Sequence, residues 1–227
     1  APMIVKFDEH QKMPTTRIEY SYYLMAVDAE LQMMPSRLLE GEQTAHFLTE
    51  RFDRQNGKKV HIQTLAAMNP SADSYEALFE AACRIGVPPG ELRQLFRSMV
   101  LNVLGGNVDD HNKNFSFLMD DDGHWHVAPA YDYTFSVDPD APYYVNRHSM
   151  TVNNKTEGII AEDLLEVARR YGIKAAEPFI EKAIGIVSHY PEYGREAGVG
   201  EEWIGTIEKE IAARIECVSD NRADRLK

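Results

Sequence analysis

The sequence predicts an α+β chain in two lobes, a small sheet-based lobe over residues 1–56 and a mainly helical lobe over residues 57–227. Three observations carry this. Apolar runs of strand length, bounded by turn residues, dominate the first lobe. From Ser74 onward the apolar spacing changes to three and four, the period of a helix buried on one face. Between Gly105 and Asp132, acids gather on loops beside glycines that stop a helix, and a site placed there would face the first lobe across a cleft, where ligands usually bind.

Met3-Ile4-Val5-Lys6-Phe7 reads as a buried strand carrying one lysine, ended by Asp8 and a polar segment that runs through residues 9–12 to Thr16. From Arg17 to Leu31, Glu19, Tyr22, Tyr23, Ala26 and Val27 fall near helical spacing, which sets Glu19 in the first turn of a helix. Lys6 and Glu19 can then meet; without further context they read as a surface lysine and a glutamate facing a helix dipole. Tyr20 to Tyr23 reads as helix packing. Ser36 to Leu39 and Ala45 to Phe52 read as an antiparallel hairpin over the turn-like Glu40-Gly41-Glu42, and Asp53-Arg54-Gln55-Asn56-Gly57 as a turn in which Arg51 and Arg54 flank Asp53 as an ion-pair set.

In the second lobe Tyr75, Leu78, Phe79, Ala82 and Ile85 are periodic and stop at Gly86. Pro88-Pro89 restart a helix that buries Leu92, Leu95, Phe96, Met99 and Val103 and stops at Gly105-Gly106. Phe115 to Met119 and His124 to Ala128 make a hairpin over Asp120-Asp121-Asp122-Gly123. The tail reads as helix at Ala161 to Tyr171, Glu177 to Ser188 and Glu201 to Arg214, with Glu162-Asp163 and Glu208-Lys209-Glu210 on solvated faces.

Composition narrows the partners. An apolar content of 44% with 10% aromatics is that of a folded globular chain, and 227 residues suffice for a sizeable core. A formal charge of -12 argues against a direct, sequence-independent grip on nucleic acid, which needs clustered Lys and Arg. No apolar run reaches the roughly 18 residues of a membrane span, and no signal-peptide pattern opens the sequence. Cys83 and Cys217 are too few for a disulfide framework, so a cytoplasmic location is expected.

The chemistry centres on Asp109, Asn114 and Asp132. Carboxylates with an amide oxygen are hard ligands suited to Mg2+, which takes one or two carboxylates and completes its shell with phosphate and water. Protein kinases place a catalytic Asp ahead of a metal-binding Asn with four residues between, then a second metal-binding Asp after a short hairpin, with a strand Lys pairing a helix Glu. Asp109, Asn114 and Asp132, with Lys6 and Glu19 upstream, supply these parts in that order. In that scheme Asp109 is the base, Asn114 and Asp132 hold Mg2+, Lys6 grips the phosphates of ATP, and His111 and Lys113 lie near the transferred group.

Asn107 to Phe117, Ala128-Pro129-Ala130-Tyr131-Asp132 and His46 to Arg54 resemble the signature segments of the HipA-type serine/threonine kinases, toxins of bacterial toxin–antitoxin modules, and Met3 to Phe7 resembles their lysine strand. The likeness runs from the first residues to about Asp132 and more loosely through the tail. It implies a protein-kinase-like fold, ATP and Mg2+ as cofactors, and Glu50, Arg51 and Phe52 as the hinge that meets adenine, with Tyr131 beside the metal ligand. It also implies a protein substrate in translation, such as an aminoacyl-tRNA synthetase, and a DNA-binding antitoxin as partner. The family carries a further N-terminal region and a Gly-rich loop before the lysine strand, and this sequence begins two residues before that strand. Those parts are expected upstream or on a separate polypeptide.

Two other readings stand beside the kinase. One is a kinase-like scaffold that binds nucleotide or an antitoxin without catalysis. The other is a metal-dependent hydrolase using His111, His124 and His126, since imidazoles and acids also bind Zn2+.

Overall fold

The computed structural model describes residues 2–8, 13–41, 44–55, 57–142 and 145–220. The elements follow in the order β1 (Met3–Lys6), α1 (Thr15–Asp28), β2 (Ser36–Glu40), β3 (Ala45–Glu50), β4 (Arg54–Gln55), β5 (Lys58–Lys59), β6 (His61–Thr64), α2 (Leu65–Met68), α3 (Tyr75–Arg84) and α4 (Leu92–Gly105). Then come β7 (Ser116–Met119), β8 (Trp125–Val127), α5 (Ala161–Arg170), α6 (Ala176–Val187), α7 (Tyr190–Glu196) and α8 (Glu201–Ser219). This is the α+β architecture that the sequence predicts, with small antiparallel sheets and a helical bulk.

The first sheet has the order β1-β3-β2, all antiparallel, with Lys6 opposite Phe47 and Leu38 opposite the same Phe47 on the other side. Helix α1 packs on β2 and β3, with Ile18, Tyr22, Met25 and Ala26 buried along its length, and Thr16 Oγ1 donates to the Ala45 carbonyl at 2.6 Å. The helix ends at Asp28, three residues earlier than expected. Glu30 turns left-handed at φ +58° and Leu31 N–H reaches back to the Ala26 carbonyl at 2.9 Å, closing the helix as a C-terminal cap does. Glu30 is held there by Arg97 and Lys182, at 2.9 and 2.7 Å from its carboxylate.

Strand β1 forms where expected but is not buried: Ile4, Val5 and Phe7 are 44%, 39% and 64% exposed. Among the described residues it is an edge strand paired only with β3, and an apolar run reports strand length without reporting whether both faces are covered. The turn expected at 53–57 is in part a small ladder, β4 against β5, tied by Arg51 and Arg54 to Asp53. Glu42 and Asn56 of the two expected turns, and residues 9–12 of the polar segment, lie outside the described residues.

Strand β6 was not anticipated: four residues, of which Ile62 alone is apolar, leave little periodicity to read. It pairs with β7, which pairs with β8 in the expected hairpin, so residues 61–64 and 116–127 share one sheet. Helix α7, also unanticipated, is seven residues carrying a proline and a glycine. Two expected solvated faces need correction. Asp163 is buried, accepting from Ile160 N–H, Asn153 and Lys155 at 2.9, 2.9 and 2.8 Å, and so caps α5. Glu210 is half-buried and bonds Arg214 at 2.9 Å.

The core is organised around α4. From Ser98 to Val108 the chain is buried without interruption, as expected of a helix surrounded on all sides; α3, α6, α8 and β8 pack on it. Its end fits closely between two buried tyrosines: Tyr22 Oη donates to the Gly105 carbonyl at 2.5 Å and Tyr133 Oη to the Leu101 carbonyl at 3.0 Å.

Two predictions follow from this packing. A Cβ on Gly105 would lie 2.7 Å from Tyr133 Oη and 3.1 Å from Tyr22 Cε1. Alanine gains up to about 1 kcal/mol of helix propensity, but overpacking against rings that cannot move costs about 1–3 kcal/mol, so crowding wins. Gly105→Ala is expected to lower the melting temperature by about 2–10 °C, whereas Gly90→Ala, with open space at its Cβ, leaves it unchanged. The second concerns His126, whose ring meets Glu91 at 2.8 Å and Asp120 at 3.4 Å. Hydrogen bonding to Glu91, then to Asp120, raises the His126 pKa, and Asp120 is held down to about 2, chiefly by the His124 N–H. A raised histidine stabilises fully below its unfolded value of about 6.5 and loses that contribution as pH climbs through the folded value. Wild type should therefore lose melting temperature relative to His126→Gln between pH 6 and 8 (about one unit either side); parallel profiles would count against it.

Candidate active site

Helix α4 delivers the candidate loop. Gly106 adopts φ +69°, and a Cβ there would meet Arg214 Nε at 3.2 Å and Val137 Cγ2 at 3.3 Å, so both conformation and space call for glycine. Beyond it, residues 107–114 have no regular structure, and their polar groups are held from several sides. Ser136 Oγ accepts from both Val108 N–H (2.7 Å) and Asp109 N–H (3.0 Å), and donates to Asn107 Oδ1 at 3.2 Å. Asn107 Nδ2 donates to Asn102 Oδ1 at 2.9 Å and to the Asp132 carbonyl at 3.3 Å. Asn112 Nδ2 reaches the Ala72 carbonyl at 2.9 Å, and the Asn112 carbonyl accepts from Ala66 N–H at 3.1 Å.

This fixed backbone presents two adjacent acids in opposite directions. The Asp109 side chain is 69% exposed, with His111 Nε2 at 3.9 Å. Asp110 is fully buried and accepts from Tyr75 Oη, His148 Nδ1 and Ser149 N–H at 2.7, 2.8 and 2.8 Å. Sequence reasoning gave Asp110 no role, because its donors come from distant segments that no local pattern connects to it. Asn114 Nδ2 donates to the Asp109 carbonyl at 2.9 Å, which leaves its amide oxygen as the ligand atom.

The second half of the site is built on Lys6. At the end of β1 its ammonium lies 2.6 Å from Glu19 Oε1 on α1 and in close contact with Asp132 Oδ1 on the loop after β8. Burial pulls the Lys6 pKa down, but the fields of Glu19 and Asp132 and their hydrogen bonds outweigh it and hold the ammonium above its ordinary value. Burial raises the Glu19 carboxyl against the pull of Lys6, yet with the ammonium at 2.6 Å the geometry supports the ionised pair. Asp132 is left-handed at φ +53°, a conformation Asp tolerates at modest cost and one concentrated at functional sites.

Lys6, Glu19 and Asp132 close one end of a cavity of about 460 Å3 between the first sheet and the β6-β7-β8 sheet. Glu50, Arg51, Phe52, Lys113 and Tyr131 also line it. Apolar walls come from Ile4, Met33, Met34, Phe47 and Ile62, which sequence reasoning missed; only the alternation within β3 and β6 hinted at Phe47 and Ile62. Phe52 and Tyr131 stand with ring centres 5.6 Å apart. Burial pushes Tyr131 up to about 12, so its hydroxyl keeps its proton and bonds Ser116 at 2.5 Å and the Lys113 carbonyl at 2.8 Å. Arg51 lines the cavity, but its guanidinium is committed to Asp53 at 2.8 and 2.7 Å. Asp109, His111 and Asn114 are not among the lining residues; they belong to the loop that continues past Lys113.

A carboxylate at Asp132 and an amide oxygen at Asn114 are hard donors that fit Mg2+, and Asp132 already holds a cation in the Lys6 ammonium. The histidines of the hydrolase reading do not assemble. His124 and His126 both face Asp120, His111 faces Asp109, and among the described residues Asp120, Asp122 and His124 alone bring three possible ligand atoms within 4.8 Å.

Comparison with known proteins shows the family and the fold. The model of the HipA-like C-terminal domain matches residues 1–192. Among solved structures the chain is similar to HipA of Shewanella oneidensis MR-1, determined in complex with HipB and operator DNA. The TM-score is 0.74 at 19% identity, covering 95% of this chain and 58% of that one. It is also similar to the proinflammatory kinase CtkA of Helicobacter pylori, with a TM-score of 0.63 at 16% identity, covering 99% of this chain and 91% of that one. No curated protein matches it in sequence. The chain thus spans just over half the length of HipA, with the same kinase-like fold, and it belongs to the HipA-like C-terminal domain family.

Proposed function

We propose that this chain is an ATP- and Mg2+-dependent serine/threonine protein kinase of HipA type. The observation that carries the reading is Lys6, clamped between Glu19 and Asp132 at the end of an apolar cleft walled by residues 50–52. Phe52, Tyr131 and the methionines accept a purine ring beside the Glu50 to Phe52 strand end, where the Glu50 and Arg51 N–H groups are bonded to the Pro35 and Pro2 carbonyls at 3.0 and 2.9 Å. Lys6 leaves Asp132 for the phosphate oxygens while Glu19 keeps the ammonium aimed at them. Asn114 and Asp132 hold Mg2+, which when bound neutralises phosphate charge and orients the transferred group. Asp109 takes the proton of a substrate hydroxyl as its oxygen bonds to the γ-phosphorus and the bond to ADP breaks. His111 and Lys113 flank that position.

By family resemblance the substrate is a protein of translation, such as an aminoacyl-tRNA synthetase, and the chain acts as a toxin in the cytoplasm. No helix among the described residues is long and apolar enough to cross a membrane. The complex of HipA with HipB and operator DNA supports a DNA-binding antitoxin as partner. With a charge of -12, contact with DNA would run through that partner. Exposed Ile4, Val5 and Phe7 give the family's additional N-terminal region, on this or a separate polypeptide, an apolar edge to cover.

Mg2+ with ATP is expected to raise the melting temperature. Asp132→Ala should abolish the shift, whereas Asp109→Asn should keep it and lose phosphate transfer. No shift, even with the upstream loop restored, would overturn the kinase. Binding without transfer to any protein would select the scaffold, and a shift with Zn2+ alone the hydrolase. Lys6→Met removes a charged hydrogen bond worth about 1.5–3 kcal/mol, so ATP affinity measured by calorimetry should fall about 10- to 100-fold. Unchanged affinity would remove Lys6 from the phosphate site.

A further inference from the structure

Asp110 is a buried carboxylate that the proposed mechanism does not use. Its Oδ2 accepts from Tyr75 Oη and His148 Nδ1, its Oδ1 from Ser149 N–H at 2.8 Å and more distantly from Met150 N–H at 3.4 Å. His148 is itself buried, and its Nε2 lies 3.3 Å from Arg214 Nη1 on α8. Guanidinium is only a donor and the carboxylate only an acceptor, so the ring carries its hydrogen on Nδ1 and its lone pair on Nε2. Arg214 therefore selects the tautomer that donates to Asp110. The same guanidinium is steered by Glu210 at 2.9 Å and sits against Gly106.

From Asp110 the contacts run to both halves of the candidate site. Asp109 is the next residue. Through Tyr75 Oη the chain of bonds continues to Asn102 at 2.9 Å, on to Asn107 at 2.9 Å, and from Asn107 to the Asp132 carbonyl. A pocket of about 210 Å3 lined by His148, Glu210 and Arg214 opens the other end to the surface. Helix α8 lies wholly beyond residue 192, where the family match ends.

We propose that Arg214 is a positioning residue for phosphoryl transfer: acting through His148 it fixes Asp110, and with it the loop that presents Asp109, so α8 is part of the working site. This rests on the reading of Asp109 as the base. Misplacing a reacting group by about 1 Å costs on the order of 100-fold in rate. Arg214→Met is accordingly expected to lower kcat by about 10- to 100-fold with KM for ATP within about twofold, and Arg214→Lys, which keeps a donor for His148, to recover most of it. A purely structural role would lower the melting temperature and leave kcat of the folded variant at the wild-type value, which overturns the proposal. Should Arg214→Met not fold, Glu210→Gln loosens the guanidinium without removing it; a wild-type kcat there overturns the proposal and a reduced one supports it.

Hydrogen exchange separates this inference from the kinase reading, since it needs no activity. In Arg214→Met the Val108 and Asp109 amides should exchange about tenfold faster while the middle of α4 keeps its protection. Unchanged loop exchange overturns the relay. An inactive wild type with the faster loop exchange overturns the base assignment and leaves the relay standing.

Discussion

One ammonium group ties the structure together. Lys6 comes from an edge strand at the start of the chain, Glu19 from the helix behind the sheet and Asp132 from a loop 126 residues away. Two carboxylates brought this close would repel each other without a cation between them, and a half-buried lysine would be a poor base to leave unpaired. The clamp joins the first sheet and α1 to the loop after β8 at the cleft. In the kinase proposed for this chain, phosphate and metal would take the places that Lys6 and Asp132 fill for one another.

The other half of the site depends on how α4 ends. A helix buried on every side cannot be extended toward solvent, so its last turn must hand the chain to a loop, and Gly106 does this where Arg214, Val137 and Phe135 leave no room for a side chain. The loop then sorts two neighbouring acids. Asp110 turns inward to four donors and Asp109 outward to solvent. A carboxylate satisfied inside and one left accessible outside are two products of one conformation.

Much of this was legible in the sequence, and the reasons differ by element. Helices α3 and α4 announced themselves by period and by Ser74, Gly86 and Gly106 at their ends. Lys6, Glu19 and Asp132 were reachable because spacing and residue type point to one chemistry, Phe52 and Tyr131 only through the family resemblance, and the structure brings all five to one cavity. What was hidden is what depends on distant partners. Nothing local marks β1 as an edge or Asp110 as the anchor of the loop, since each owes its state to residues far along the chain. Met33 and Met34 line the cleft from an irregular stretch where no periodicity exists to be read.

The central claim is that the Lys6–Asp132 contact is exchanged for nucleotide and metal. A crystal structure with Mg2+ and a non-hydrolysable ATP analogue tests it most directly. The account predicts Lys6 Nζ on a phosphate oxygen and still on Glu19, with the metal about 2.1 Å from oxygens of Asp132 and Asn114. An analogue bound elsewhere, or Lys6 still paired with Asp132 beside an occupied cleft, would contradict it.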